Sequence, residues 1–421
     1  MNKFSIAAIL ISGVALAACG GGGETSRGPT TPDPVTPTPT PGPKPTITNP
    51  NYTRYIEPAA IKRDLSGLAS VYRKNYHKFL EYKAPNGKPI RLVATNDISD
   101  EQLLRSYNIL SFYLSDVPGS KYGKRKAAVA NQMANSGAVL VMAGGADGAS
   151  PIKTSALAGQ PLYQLEFPAA GTKAYLESDY DQRDAGFEEI FHMVHDNGIG
   201  TKYTPGVLKS TYQSDITKAM ENAYAKGIWK PDRATYDEWK KEGSLEQEYI
   251  ASVIDSYYGY WGAWTGGTGG MWGLYKPKTR ADVKRLDPQG AKIVEDFLAK
   301  DLTYMARIDP NFKGTFKMAF DASAPYTHKS QYLNNARLLG SNDANLIGND
   351  RDNILMGNAG RNTIDGRGGM DVVQYTELSK FYEIRNEAAK TIVSSLRRPN
   401  DVDTLINVEI IRFPDKDVKI P

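Results

Sequence analysis

Residues 340–375 read GSNDANLIGNDRDNILMGNAGRNTIDGRGGMDVVQY. Glycines at 340, 348, 357 and 366 stand eight or nine residues apart, and each is followed by Asn or Asp at the sixth place and a branched aliphatic at the eighth. The pairs are Asn345 with Ile347, Asn353 with Leu355, Asn362 with Ile364 and Asp371 with Val373. So short a unit cannot bury its aliphatic alone and has to stack on copies of itself. A glycine turn followed by a short strand, repeated, predicts a parallel β-roll over residues 336–375.

The units GNAGRNTID (357–365) and GRGGMDVVQ (366–374) resemble the RTX nonapeptide family, G-G-x-G-x-D-x-(aliphatic)-x, which binds calcium between stacked turns. The resemblance implies Ca2+ as a cofactor, held by side-chain oxygens and turn carbonyls. The residues it points to are Asn353, Asn362, Asp365, Asp371, Asp350 and Asp352. Asn stands at three of the four sixth places where the family has Asp, so the charge per site is low and the implied binding is weak or partial. The same residues also read as a metal-free roll held by its aliphatic stack and Asn hydrogen bonds. Phe381–Arg385 and Thr391–Ser395 read as strands, and DTLINVEIIRFPDKDVKI (403–420) resembles the segment that closes RTX arrays. Residues 376–421 are therefore expected to be a β-rich cap over the last coil.

At the other end, Lys3 precedes an apolar run from Phe4 to Ala18, the pattern of a secretory signal over residues 1–18. Leu16-Ala17-Ala18-Cys19 resembles the lipobox of bacterial lipoproteins. That resemblance implies lipidation of Cys19 and a membrane partner through the lipid. Gly20 in place of Asp implies the outer membrane of a bacterial envelope. Cys19 is the sole cysteine in 421 residues, so no disulfide staples the chain. Residues 20–50 are rich in Gly, Thr and Pro, a composition that extends instead of burying a core, and they read as a tether. The net charge of +4, from 51 basic and 47 acidic residues, is too slight and too mixed to suit nucleic acid.

Residues 51–335 form the expected main domain. Ala59–Lys83 reads as helix, Ile90–Ala94 as strand, Glu101–Ser115 and Lys124–Ala134 as helices, Ala138–Ala143 and Leu162–Phe167 as strands. From Ala185 to Asp301 the pattern is mostly helical, so the fold class is α+β: a mixed lobe, a helical lobe, then the roll. The chemically densest stretch is Phe187-Glu188-Glu189-Ile190-Phe191-His192-Met193-Val194-His195-Asp196. In helical phase Phe187, Ile190, Phe191 and Val194 face the interior, while Glu188, His192 and His195, at i, i+4 and i+7, share a stripe. Asn197-Gly198 ends the helix.

Glu188-Glu189-x-x-His192 resembles a degenerate zincin motif, with Glu where H-E-x-x-H has its first histidine. The resemblance, closest to the gluzincin branch, implies a zinc metallopeptidase. Glu188, His192 and, from the later helix beginning at Ser244, Glu248 would hold Zn2+, and Glu189 would activate the water. His195 would ligate or stabilise the transition state. A second carboxylate in place of histidine weakens a zinc site. Two other readings use the same residues: iron or manganese on His192, His195 and a carboxylate, or a metal-free stripe on an amphipathic helix. Downstream, Tyr257–Tyr275 carries Trp261, Trp264 and Trp272 among glycines, a platform for a peptide or glycan ligand and a wall for any cleft at residue 187. The chain has no G-x-S-x-G elbow and no P-loop. The combined expectation is a calcium-binding surface lipoprotein that acts as a metal-dependent peptidase, or else a non-catalytic binding or adhesion module.

Overall fold

The computed structural model describes residues 60–150, 152, 158–180 and 183–420. The secretory signal, Cys19 and the Pro/Thr/Gly tether lie outside these residues. Three sheets and a helical layer make up a mixed α/β architecture, β-rich at its C-terminal end. Among the described residues no helix is long and apolar enough to cross a membrane.

The first sheet is built early in the chain. A short helix α1 (Ser70–Asn75) leads into β1 (Lys78–Lys83) and β2 (Pro89–Ala94), which pair antiparallel. The expected helix over Ala59–Lys83 is thus corrected: only its middle is helical and its end is an edge strand. Phe79 there packs beside Leu68, Tyr76 and Val93, a sheet-face contact that local helical pattern does not encode. Helix α2 (Asp100–Leu114) starts at a capping box in which Ser99 and Gln102 satisfy each other's backbone N–H groups. Helix α3 (Lys126–Ser136) ends on Gly137 in the left-handed conformation. Strands β3 (Val139–Ala143) and β4 (Gln160–Tyr163) then extend the sheet in parallel, in the order β1-β2-β3-β4. Every residue of β3 is buried, as a central strand covered on both faces requires. Leu140 and Met142 point to the helices and Val139 and Val141 to the opposite face.

After α4 (Lys173–Glu177) the chain enters the helical layer. It comprises α5 (Gly186–Val194), α6 (Tyr212–Ala225), α7 (Arg233–Glu242), α8 (Leu245–Tyr257), α9 (Arg280–Leu286) and α10 (Pro288–Phe297). All nine residues of α5 are buried, so it is a central helix and not an amphipathic surface one. It packs on α2, α8 and β4.

The remaining strands form two sheets. They are β5 (Leu302–Ile308), β6 (Gly314–Lys317), then, past α11 (Thr327–Ser330), β7 (Leu333–Leu338), β8 (Ala344–Ile347), β9 (Ile354–Met356), β10 (Arg361–Asp365) and β11 (Val372–Gln374). The chain closes with β12 (Tyr382–Glu387), β13 (Lys390–Ser395), β14 (Val402–Ile406), β15 (Ile410–Arg412) and β16 (Asp417–Lys419). Their orders are β12-β13-β14-β10-β8-β6 and β16-β15-β11-β9-β7-β5. Strands β5 to β11 alternate between the sheets, and β5 to β11, β14 and β15 pair in parallel. Only the C-terminal margins, β12/β13/β14 and β15/β16, are antiparallel. The ladders run past the repeat stretch at both ends, because β5 and β6 supply the first coil without any nonapeptide pattern.

One coil is 18 residues, two repeats. Asp343 accepts from Arg361 N, Asn345 from Thr363 N, Asp352 from Met370 N and Asp371 from Asn353 N, all across that separation. The glycine of each full repeat has a close-approach reason. A Cβ on Gly348 would stand 2.4 Å from Asn353 Oδ1, and one on Gly357 would stand 2.5 Å from Asn362 Oδ1. The first repeat departs from the expected frame. Leu346, not Ile347, is fully buried and pairs with Ile364, because the eight-residue spacing between Gly340 and Gly348 shifts the register by one and turns the other side chain inward.

Candidate metal centre

Helix α5 is held by what surrounds it. Tyr113 on α2 donates to Phe187 O at 2.8 Å, and Phe187 stacks among Phe112, Tyr258 and Tyr260. Met193, Phe191 and Val194 are fully buried. With its apolar residues wedged on several sides, the helix carries Glu188, Glu189 and His192 into the interior, exposed by only 3%, 2% and 5%. Among the described residues these three form the group of His, Cys, Asp or Glu side chains able to hold a metal ion, with one ligand atom from each within 4.8 Å of the others.

Each member has a distinct environment. Glu189 Oε2 accepts from Gln160 Nε2 on β4 at 2.8 Å and faces His192 Nδ1 at 3.6 Å. Burial pushes the Glu189 carboxyl up. Glu188 pairs with Arg183, which outweighs burial and holds its carboxyl below the usual range. Burial disfavours an imidazolium at 192, but Glu189 facing its Nδ1 and the charges of Glu248 and Glu188 raise His192 to about 10. Its Nε2 is buried and has no hydrogen-bond partner. Two carboxylates and an imidazole are a donor set that zinc, iron and manganese accept once the metal displaces the Nε2 proton of this raised imidazole, and Glu189 facing Nδ1 orients the ring. The residues present fit a divalent cation.

The other sequence-derived candidates fall differently. Glu248, in the first turn of α8, is near enough that its charge acts on His192, and burial raises its own carboxyl to about 8. It stands outside the group of three. His195 does not join the stripe. The helix widens into a single π-turn at His195–Ile199, and the His195 ring contacts Phe191 and pairs through Nε2 with Gln213 on α6. Burial lowers it to about 4, so it is a neutral, enclosed imidazole at physiological pH. Tyr212 at the start of α6 and Tyr249 within α8 donate to Ile293 O and Asp287 Oδ2 and tie the helices together.

Sequence reasoning missed Arg183, Gln160 and Glu166, which is raised to about 7 by burial, while Asp255, two turns past Glu248 on α8, leaves its Oδ1 buried without a partner. Arg183, Gln160 and Glu166 lie on a loop, an edge strand and a 3-10 turn, outside any motif. The aromatic loop does reach the centre. Arg183 lies 5.0 Å over the Trp272 ring and 4.0 Å from Met271 Sδ, and Met271 and Trp272 both have left-handed φ values, 47° and 50°. Two consecutive non-glycine residues in that region store backbone strain beside the site.

In the roll, Asn353 and Asn362 are interior. Their Oδ1 atoms accept from Asn349 N at 2.9 Å and Asn358 N at 2.8 Å, and their amides donate to Asn349 and to Asn358 and Ala344 O. Asp352 and Asp365 take backbone N–H groups at turns, Met370 and Arg367 respectively, and Asp350 is exposed beside Arg367. Asp371 is fully buried with Oδ2 unpartnered, and burial raises it to about 9. Among the described residues these turn carboxylates do not gather into a group of three.

No family model matches the chain, and no curated protein matches it. Among solved structures it is similar to the extracellular lipase LipA from Serratia marcescens, at 10% identity and a TM-score of 0.22. The match covers 82% of this chain and 57% of that one, so the chain spans little more than half of that enzyme's length.

Proposed function

We propose that α5 carries a divalent-metal site and that the protein is a metal-dependent hydrolase of peptide bonds, anchored at the bacterial surface through Cys19 and carrying an RTX-like roll. The observation that carries the reading is the buried group itself: one ring nitrogen of His192 and one oxygen each of Glu188 and Glu189 lie within 4.8 Å of one another, and His192 Nε2 has no hydrogen-bond partner. His192, Glu188 and Glu248 would hold the ion, which when bound polarises a carbonyl and acidifies water. Glu189 would take the proton of the attacking water: it stands beside the group's imidazole, and Gln160 fixes its orientation. The half-buried Trp264 and Trp272 line the approach for a peptide.

One observation favours a second reading, a binding module with a vestigial site: Arg183 already neutralises Glu188. Metal analysis of the purified full chain separates the two. Uptake of one zinc, manganese or iron per chain from metal-supplemented buffer, lost in His192→Ala while the fold persists by circular dichroism, is expected. A chain that takes up none of these metals, with His192→Ala indistinguishable from the parent, would sink the hydrolase and leave the binding module. Calcium is a separate question, and Asp371→Asn measured alongside assigns any bound calcium to the roll.

A further inference from the structure

Arg183 is a permanent cation built into the centre, and its placement bears on metal binding itself. Its guanidinium donates to Glu188 Oε2, the carboxylate that the metal site also needs. Three acidic groups, Glu188, Asp255 and Glu189, surround it, and Asp255 Oδ1 is buried without a partner. On its other side the contacts are soft, the Trp272 ring face at 5.0 Å and Met271 Sδ at 4.0 Å. The Arg183 side chain keeps 16% exposure while Glu188 keeps 3%, so the arginine has a way out toward solvent and the glutamate has none.

Arg183 already occupies one oxygen of Glu188, and a dication on the same carboxylate would stand a few ångströms from the guanidinium, where like charges in a water-poor interior repel strongly. We propose that Arg183 is an internal competitor that closes the metal site: the ion binds only when Arg183 leaves Glu188 and moves outward past Trp272. The strained Met271–Trp272 pair, on a loop with glycines at 266, 267, 269, 270 and 273, is the element that yields. Occupancy of the site is then set by whatever draws Arg183 away, and an anionic group on a substrate or partner is the chemistry that does so. This inference rests on the metal reading of α5.

The test titrates Zn2+ alone into the full chain by calorimetry, for the parent, Arg183→Ala, Arg183→Lys and Arg183→Ala/His192→Ala. Tryptophan emission is recorded in parallel, with Trp272→Phe as the control. Expected are weak binding by the parent, at least tenfold tighter binding by Arg183→Ala, near-parental binding by Arg183→Lys and loss in the double variant. Zinc should also change the emission of the parent but not of Trp272→Phe. Equal, His192-dependent affinity in parent and Arg183→Ala would overturn the competitor while leaving the metal site standing. No binding by a folded Arg183→Ala chain would remove both. Arg183→Gln serves in its place if the alanine variant fails to fold.

Discussion

At the scale of the residue, one atom distinguishes the last repeat from the others. Asn353 and Asn362 spend each side-chain oxygen and amide on nearby backbone and amide groups, whereas Asp371 leaves Oδ2 buried and bare. Burial raises the Asp371 carboxyl to about 9 from a model-peptide value of 3.8. The folded chain therefore holds a proton that the unfolded chain has released across that window, and the roll loses stability as pH rises through it. Asp371→Asn removes the ionisation and restores the arrangement seen at 353 and 362. In calcium-free buffer its urea stability should match the parent near pH 4 and exceed it increasingly toward pH 9, by about 1–3 kcal/mol there, the cost of leaving a buried polar group unmet. A parallel fall of both proteins with pH would show that another group controls the slope.

At the scale of the element, α5 shows packing overriding local preference. Gly186 opens this helix, where alanine is favoured by about 1 kcal/mol on propensity. Yet a Cβ there would lie 2.1 Å from Phe167 Cε2, and overfilling a packed core costs about 1–3 kcal/mol. Since Phe167 is itself fully buried and stacked under Arg105, it has no room to yield. Gly186→Ala should lower the urea midpoint and loosen the Glu188–Glu189–His192 group, against an unchanged or raised midpoint if propensity governed. The π-turn after α5 acts on function in the same way, by turning His195 toward Gln213 and away from the carboxylates.

At the scale of the molecule, the roll and the helical layer share one core. Leu302, Ala306, Ile308 and Phe316 belong to the same buried cluster as Phe187 and Tyr258. Arg307 reaches Glu101 on α2 at 2.6 and 3.0 Å, and a buried pair of Arg105 with Asp184 is joined by Lys329. Strands β5 and β6 find their sheet partners in β7 and β8. A chain ending at Asn335 should therefore not fold as a shortened native protein: it should elute as aggregate and lack a cooperative thermal transition. A monomeric, cooperatively melting product would show that the α/β part is independent.

The repeat period, the glycine positions, the central strand β3, helix α2 and the placing of Glu188 and His192 one turn apart were legible in the residues, because each rests on local spacing: nine for a half-coil, two for a strand, 3.6 for a helix. What local spacing does not carry came only with the packed chain. The strand at Lys78–Lys83 exists because a sheet edge takes it, the inward turn of Leu346 follows from stacking on Ile364, and Arg183 and Gln160 meet α5 from a loop and a strand edge. Contacts between residues far apart in sequence leave no period to read, and at this centre such contacts decide which charges meet the histidine.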